Sequence, residues 1–144
     1  MSRAVELLQS LDASVNALRA AMAATAACWE RPPAAGEWSP RLVAEHIVVA
    51  LGVYSEFLAA AIDSEPFDWT SRAYAFPTPE EARERLDELY AWVKEATAAM
   101  AEADLSAPVP ELGALSPSPT LAGLLTLAGR HLANARQIES AVRA

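Results

Sequence analysis

Apolar residues recur every three or four positions in four stretches of this chain, separated by polar or proline-containing segments. The first stretch carries the repeat at Ala4, Leu8, Leu11, Val15, Leu18 and Met22. Residues three and four apart lie on one face of an α-helix, so this spacing predicts a helix with one apolar seam. Pro32 and Pro33 end any continuation, because a proline inside a helix removes a hydrogen bond and clashes with the preceding turn.

The second stretch has a well-marked helix start. Ser39 can accept hydrogen bonds from the free N–H groups of the first turn, and Pro40 fits the first helical position, where no N–H is needed. The helix is expected to end near Ile62. Its inner stripe is predicted at Leu42, Val43, His46, Ala50, Val53 and Phe57.

The third and fourth stretches also open with capping residues. Thr78-Pro79-Glu80-Glu81 has the spacing of a capping box, and Ser118-Pro119-Thr120 marks the start of the fourth helix. The third helix is expected to reach Ala103, because its seam continues through Ala82, Leu86, Leu89, Val93, Ala96, Met100 and Ala103. The fourth seam consists of Leu121, Leu124, Leu125, Ala128, Leu132, Ala135, Ile138 and Val142.

These patterns predict an all-α protein, since no stretch alternates apolar and polar residues with the period of a strand. Helices with one apolar face each can bury those faces only against one another. We therefore expect a four-helix bundle that forms a single domain over residues 1–144. The connections at residues 26–39, 63–77 and 104–118 are long for a simple up-down bundle, so crossovers between non-adjacent helices are possible.

The middle connection is unusually aromatic, with Phe67, Trp69, Tyr74 and Phe76. One interpretation is that these side chains pack over the open end of the bundle. The other is that they form a lid over a pocket or part of a subunit interface. The pattern alone leaves both open.

Composition narrows the range of functions. The formal net charge of −8 disfavours nucleic-acid binding, and no basic patch offsets it. No run approaches the roughly 18 consecutive apolar residues of a membrane span, and the N-terminus shows no signal-peptide pattern, so we expect no membrane association and a cytoplasmic location. The single cysteine, Cys28, is expected to be a small buried hydrophobe rather than a nucleophile, because no base lies beside it in the sequence.

Both histidines, His46 and His131, fall on predicted inward faces of different helices. A histidine in an apolar stripe is most often a core residue with its hydrogen bonds satisfied. Two of them in one small bundle also suggest a metal or ligand site, because bundle cores are where facing helices build such sites. Two imidazoles do not complete a zinc site, and the chain has no third histidine.

The run Glu37-Trp38-Ser39-Pro40 followed by Glu45-His46, together with the run Leu127–Glu139, resembles the second and last helices of the DinB/YfiT-like superfamily. The resemblance covers most of the chain. It implies a four-helix bundle with up-down-down-up topology and long connections, often a homodimer. It also implies a divalent metal held by one histidine of the second helix and two histidines four apart on the last. Some members are transferases or isomerases that use low-molecular-weight thiols.

Position by position, His46 matches the metal-binding histidine of the second helix. The paired histidines of the last helix fall at Arg130 and Asn134 in this chain, and His131 comes one residue late. Arginine keeps its proton and cannot bind a cation, and asparagine offers only a neutral oxygen, a weak ligand for zinc or nickel. We therefore expect an incomplete metal site, in which His46 is a ligand by family position only.

The candidate pocket residues are then His46, Arg130, His131 and Asn134. Arg130 could hold a carboxylate or phosphate through paired hydrogen bonds, with His46 as a proton carrier. The alternative is that Arg130 lies at the edge of the apolar face and reaches solvent.

Three functions remain open at this point. The first is a DinB-like enzyme that resembles metal-dependent thiol transferases, with a low-molecular-weight thiol as its partner, but lacks their complete histidine triad. The second is a non-catalytic protein that binds a small ligand, such as an anion, through Arg130. The third is a bundle that serves as a homodimer. The residues alone do not decide between enzyme and binding protein.

Overall fold

The computed structural model describes residues 2–98, 100–110 and 120–133. Within these ranges the chain forms four α-helices, which are α1 (Arg3–Ala24), α2 (Pro40–Ala61), α3 (Pro79–Thr97) and α4 (Leu121–Ala133). Short 3-10 turns occur at Ala26–Cys28, Trp69–Ser71 and Glu102–Ser106. The described residues contain no strand, only an isolated bridge between Pro108 and Thr120, so the predicted all-α four-helix class is confirmed.

The ends of α2 follow local chemistry. The Ser39 hydroxyl accepts a hydrogen bond from the N–H of Leu42 at 3.3 Å, as predicted for a helix cap. At the other end, Asp63 adopts a left-handed conformation with φ of 53°, and the N–H of Ser64 donates to the carbonyl of Ala59 at 2.9 Å. A left-handed residue followed by this long backward bond is a common way to satisfy the last carbonyls of a helix.

The prediction that the third helix reaches Ala103 was wrong. The helix ends at Thr97, and residues Glu102–Ser106 form a separate 3-10 turn. In that turn the Glu102 carboxylate accepts a hydrogen bond from the N–H of Ala4, in the first turn of α1. A negative group at a helix N-terminus satisfies a free donor and complements the helix dipole, so this contact favours the turn over further helix.

The connection between α2 and α3 runs back along the side of α2. Trp69 lies against Gly52 in the middle of that helix. Further on, the N–H of Phe76 donates to the Glu45 carboxylate at 2.7 Å, near the start of α2. The helix that follows therefore begins beside the start of α2, and the two helices run in the same direction. The aromatic connection lies along the bundle rather than over an open end, and its last aromatic residue reaches the end at which α2 and α3 begin.

Contacts between α1 and α3 show that these two helices run in opposite directions. Arg19 pairs with Asp87 at 2.7 Å, and the Tyr90 hydroxyl donates to Asp12 at 3.0 Å, so residue numbers fall along one helix as they rise along the other. Burial raises the pKa of Tyr90 well above its ordinary range, and the hydrogen bond to Asp12 raises it further.

The apolar seams meet in one core, as predicted, but α2 is rotated from its expected orientation. Its buried positions are Val43, Ala44, Ile47, Val48, Leu51, Tyr54, Ser55, Leu58 and Ala59, together with Pro40 and Gly52. Leu42 and His46, which were assigned to the inner stripe, are exposed. The helix is apolar on most of its circumference, so periodicity alone did not identify the face that packs.

Helix α2 is also long enough and apolar enough for a membrane span, with a mean hydropathy of 1.6 over its most apolar window. In the structure 56% of that window is buried among the other helices. The core helix of a soluble bundle has the same properties, because it is covered by protein on most sides.

Replacing Gly52 by alanine is expected to destabilise the fold. A Cβ atom at this position would lie 2.5 Å from the Trp69 indole, so the ring must move away from the helix. Overpacking of this kind costs about 1–3 kcal/mol in unfolding free energy. Urea denaturation of Gly52→Ala measures the loss.

Gly129→Ala is the matched control, because a Cβ atom there meets nothing within 4 Å. The control is expected to be neutral or to gain up to about 1 kcal/mol from the better helix propensity of alanine. Equal stability of Gly52→Ala and the wild-type protein would contradict the described packing of Trp69.

Candidate functional site

His131 lies on the side of α4 that faces α2. Its Nδ1 atom is 2.9 Å from the Tyr54 hydroxyl and 3.3 Å from the backbone oxygen of Leu127. Burial raises the pKa of Tyr54, so the phenol keeps its proton. A phenol can donate to an unprotonated Nδ1 or accept from a protonated one, so the direction of this bond follows the tautomer of His131. In either case the bond fixes the orientation of the imidazole.

His46 approaches His131 from α2, with 6.0 Å between the ring centroids. His46 also makes an edge-to-face contact with the Trp38 ring, and the two ring centroids are 5.5 Å apart. Trp38 is 53% exposed, and His46 is exposed rather than inward as predicted. The buried stripe of α2 passes through Ile47, and neighbouring helical residues point roughly 100° apart, so His46 is turned outward.

Arg130 lies on a different side of α4. Since it precedes His131, its side chain leaves the helix roughly 100° away. Arg130 lines a cavity against α1, together with Ser10, Ser14 and Gly129. His131, not Arg130, is therefore the α4 residue that faces His46. Asn134 lies outside the described residues.

The described residues do not fit the complete metal centre that the family resemblance implies. Among residues 2–98, 100–110 and 120–133, no group of three or more His, Cys, Asp and Glu side chains is placed to hold a metal ion. A catalytic zinc site takes three protein ligands and a structural site takes four. His46 and His131 supply two nitrogen-bearing rings, and one ring nitrogen of His131 is already within hydrogen-bonding distance of Tyr54.

Sequence reasoning missed Tyr54, which anchors the site. The residue is 8% exposed, and a buried phenol ordinarily requires a hydrogen-bond partner. A tyrosine in the largely apolar second half of α2 was therefore a signal that a polar group on another helix lies opposite. His131 was available in the sequence for that role.

The connections between the helices are long, and α2 and α4 bring two histidines together. These features define the class of the protein as a helical bundle with a candidate site between two of its helices. The family model of the DinB superfamily matches residues 6–137. The match covers most of the chain, which therefore belongs to the DinB superfamily, as its motifs indicated. No curated protein and no solved structure matches the chain significantly.

The two histidines are expected to contribute unequally to stability. His46→Ala removes an exposed ring and should change the unfolding free energy by less than about 0.5 kcal/mol. His131→Ala leaves the buried Tyr54 hydroxyl without its partner, which costs about 1–3 kcal/mol. Urea denaturation of both variants measures the difference.

Adding Tyr54→Phe to His131→Ala supplies the control. It removes the unpaired hydroxyl and should recover part of the loss, as a double-mutant cycle would show. Equal losses for the two histidine variants, or no recovery, would contradict the hydrogen bond between Tyr54 and His131.

Alkaline pH is expected to destabilise the protein through its tyrosines. Burial raises the pKa of all three, Tyr54, Tyr74 and Tyr90, above the ordinary value. Each therefore contributes stability that is fully present below pH of about 10, the pKa of an unfolded tyrosine, and is lost as pH rises through the folded pKa. Tyrosinate absorbance is expected to rise above pH of about 10, and the loss of helix content should accompany it. Ionisation near pH 10 with the helices intact would contradict this.

Proposed function

We propose that this DinB-superfamily protein binds a small molecule at the surface formed by Trp38, His46 and His131, called here the histidine face. A low-molecular-weight thiol is the ligand class we propose, and binding does not require a protein-held metal. The observation that supports this proposal is the pair of imidazoles, whose centroids are 6.0 Å apart, with one ring exposed to solvent.

The histidine face is suited to a ligand that can transfer a proton to an imidazole. Imidazole is the side chain that takes up and releases protons near neutral pH. An exposed ring nitrogen of His46 can accept the proton of a thiol, which leaves a thiolate beside an imidazolium. The opposite charges then favour the bound pair, and the thiolate is the nucleophilic form of sulfur.

The neighbours of His46 supply orientation and contact area. Trp38 offers an indole that is already in edge contact with the His46 ring, and its exposed half remains available to a ligand. Tyr54 holds the second imidazole in place through the bond to His131. Such fixed polar groups beside an aromatic surface are typical of small-molecule sites. The resemblance to thiol transferases supports the same ligand class, and a cytoplasmic location, where small thiols are reduced, is part of the proposal.

Titration with reduced glutathione, followed by NMR of backbone amides and by calorimetry, tests the proposed function. We expect saturable shifts at Trp38, His46 and His131, and binding at least about tenfold weaker in His46→Gln. Arg3→Gln, an exposed change at the start of α1, is the control and should bind like the wild-type protein. S-methylglutathione, which lacks the thiol proton, should bind more weakly than glutathione.

Two outcomes would overturn the proposal. One is unchanged glutathione affinity in His46→Gln. The other is binding that disappears on treatment with a strong chelator and returns with zinc or nickel, which would assign the site to a metal centre.

Homodimerisation is a second proposal, supported by the exposed apolar residues next to the histidine face. The exposed large hydrophobic side chains among the described residues are Val5, Trp38 and Leu42. Trp38, which belongs to the histidine face, precedes α2, and Leu42 lies in the first turn of that helix. Exposed apolar residues that lie close together often mark protein–protein contacts.

Light scattering over a dilution series tests the dimer. Leu42→Glu should shift the protein towards a monomer, because it places a charge in the proposed contact. Val5→Glu is the matched control, since Val5 is 43% exposed and Leu42 is 47% exposed. A monomeric wild-type protein, or equal effects of both substitutions, would argue against this contact.

A further inference from the structure

We propose that the cavity between α1 and α4, called here the α1–α4 notch, is a second binding site that takes a small oxyanion ligand. Its polar lining consists of Ser10, Ser14, Thr126 and Arg130, with Gly129 beside them. The cavity measures about 270 Å³, a size suited to a small carboxylate or phosphate ester.

Arg130 provides the charge. Most other arginines of the described part form ion pairs, namely Arg19, Arg41, Arg72, Arg83 and Arg85. Arg3 and Arg31 form none with a described residue, but neither lines this cavity. Arg130 makes no ion pair with any residue that the structure describes, and the described residues that line the notch include no carboxylate. In a protein with a net charge of −8, a guanidinium without an acidic neighbour among these residues is a favourable place for an anion.

Two hydroxyls add donors to the guanidinium. Ser10 and Ser14 are four residues apart, so they lie on one face of α1 and both line the notch. Neither hydroxyl has a hydrogen-bond partner within the described residues. The Thr126 hydroxyl donates to the backbone oxygen of Ala122 at 2.9 Å, so it is not free to donate to a ligand. Each serine hydroxyl can donate as well as accept, so the notch offers donors of the kind that an oxyanion requires.

The floor of the notch is apolar, which favours a ligand whose non-anionic part is apolar. Leu7, Leu11 and Leu125 line it, and Leu11 and Leu125 are buried. A ligand with a short aliphatic group can cover these side chains while its anionic end meets the guanidinium. A short-chain carboxylate or an alkyl phosphate satisfies both requirements.

The notch is independent of the histidine face. Arg130 and His131 leave α4 roughly 100° apart, so the two sites lie on different sides of the same helix. His131 contacts Tyr54 on α2, whereas Arg130 lines the notch against α1. The two proposals can therefore succeed or fail separately.

Backbone-amide NMR titration tests the notch with two probes of different origin, butyrate and inorganic phosphate. Butylammonium, which has a similar apolar group and the opposite charge, is the control ligand. We expect saturable shifts centred on Ser14, Thr126 and Gly129 for at least one anionic probe and none for butylammonium. The probe that binds more tightly identifies the head group as a carboxylate or a phosphate.

Two pairs of variants test which residues are responsible. Arg130→Gln should weaken binding at least about tenfold, and Arg130→Lys should keep part of it, because lysine retains the charge but loses paired hydrogen bonds. Gly129→Leu places a side chain in the notch and should abolish binding, whereas Gly129→Ala should preserve it, since its Cβ atom meets nothing within 4 Å. Circular dichroism of each variant checks that the helices are intact.

Unchanged affinity in Arg130→Gln would overturn the proposal, as would binding of butylammonium as strong as that of the anions. Loss of binding in Arg130→Gln but not in folded Gly129→Leu would place the anion on the exposed guanidinium outside the notch, and would also overturn it. His46→Gln should leave butyrate and phosphate binding unchanged, which separates this result from the test of the histidine face.

Discussion

The arrangement of the bundle depends on how Phe76 is held. This residue is 1% exposed, and both of its backbone polar groups are satisfied by distant side chains. Its N–H donates to Glu45 on α2, and its carbonyl accepts from the indole of Trp29 at 2.8 Å. A buried backbone group without a partner is costly, so these two bonds favour one position for the chain just before α3. The start of α3 is thereby brought beside the start of α2, and the connection must return along the whole helix.

The same constraint explains the orientation of α2. The returning chain packs Trp69 onto Gly52, where a Cβ atom would collide with the indole. With this side of α2 covered by the connection and other sides by α3 and α4, the residues that remain accessible include His46 and Leu42. The exposure of His46 thus follows from which sides of α2 the connection, α3 and α4 cover.

Helix α4 then separates two kinds of chemistry. Towards α2 it presents an imidazole whose orientation is fixed by a buried phenol, and towards α1 it presents a guanidinium beside two serines. Membership of the DinB superfamily directs attention to the first of these sides. The described residues bring two imidazoles together there but no three-ligand set, and Arg130 lines the cavity on the other side.

Much of this protein was predictable from sequence, because the features concerned are local. Ser39 and Thr78 accept hydrogen bonds from N–H groups three residues ahead, so the starts of α2 and α3 depend on neighbours in the chain. The seams predicted the helices and the all-α class for the same reason, and the spaced motifs identified the superfamily. Other features depend on residues that are far apart in sequence, and only the tertiary structure decided them. They are the end of α3, where Glu102 bonds to Ala4, the exposure of His46, and the contact between Tyr54 and His131. The helical period places a side chain on a face of its helix, but the partner of that side chain depends on which other helix covers the face.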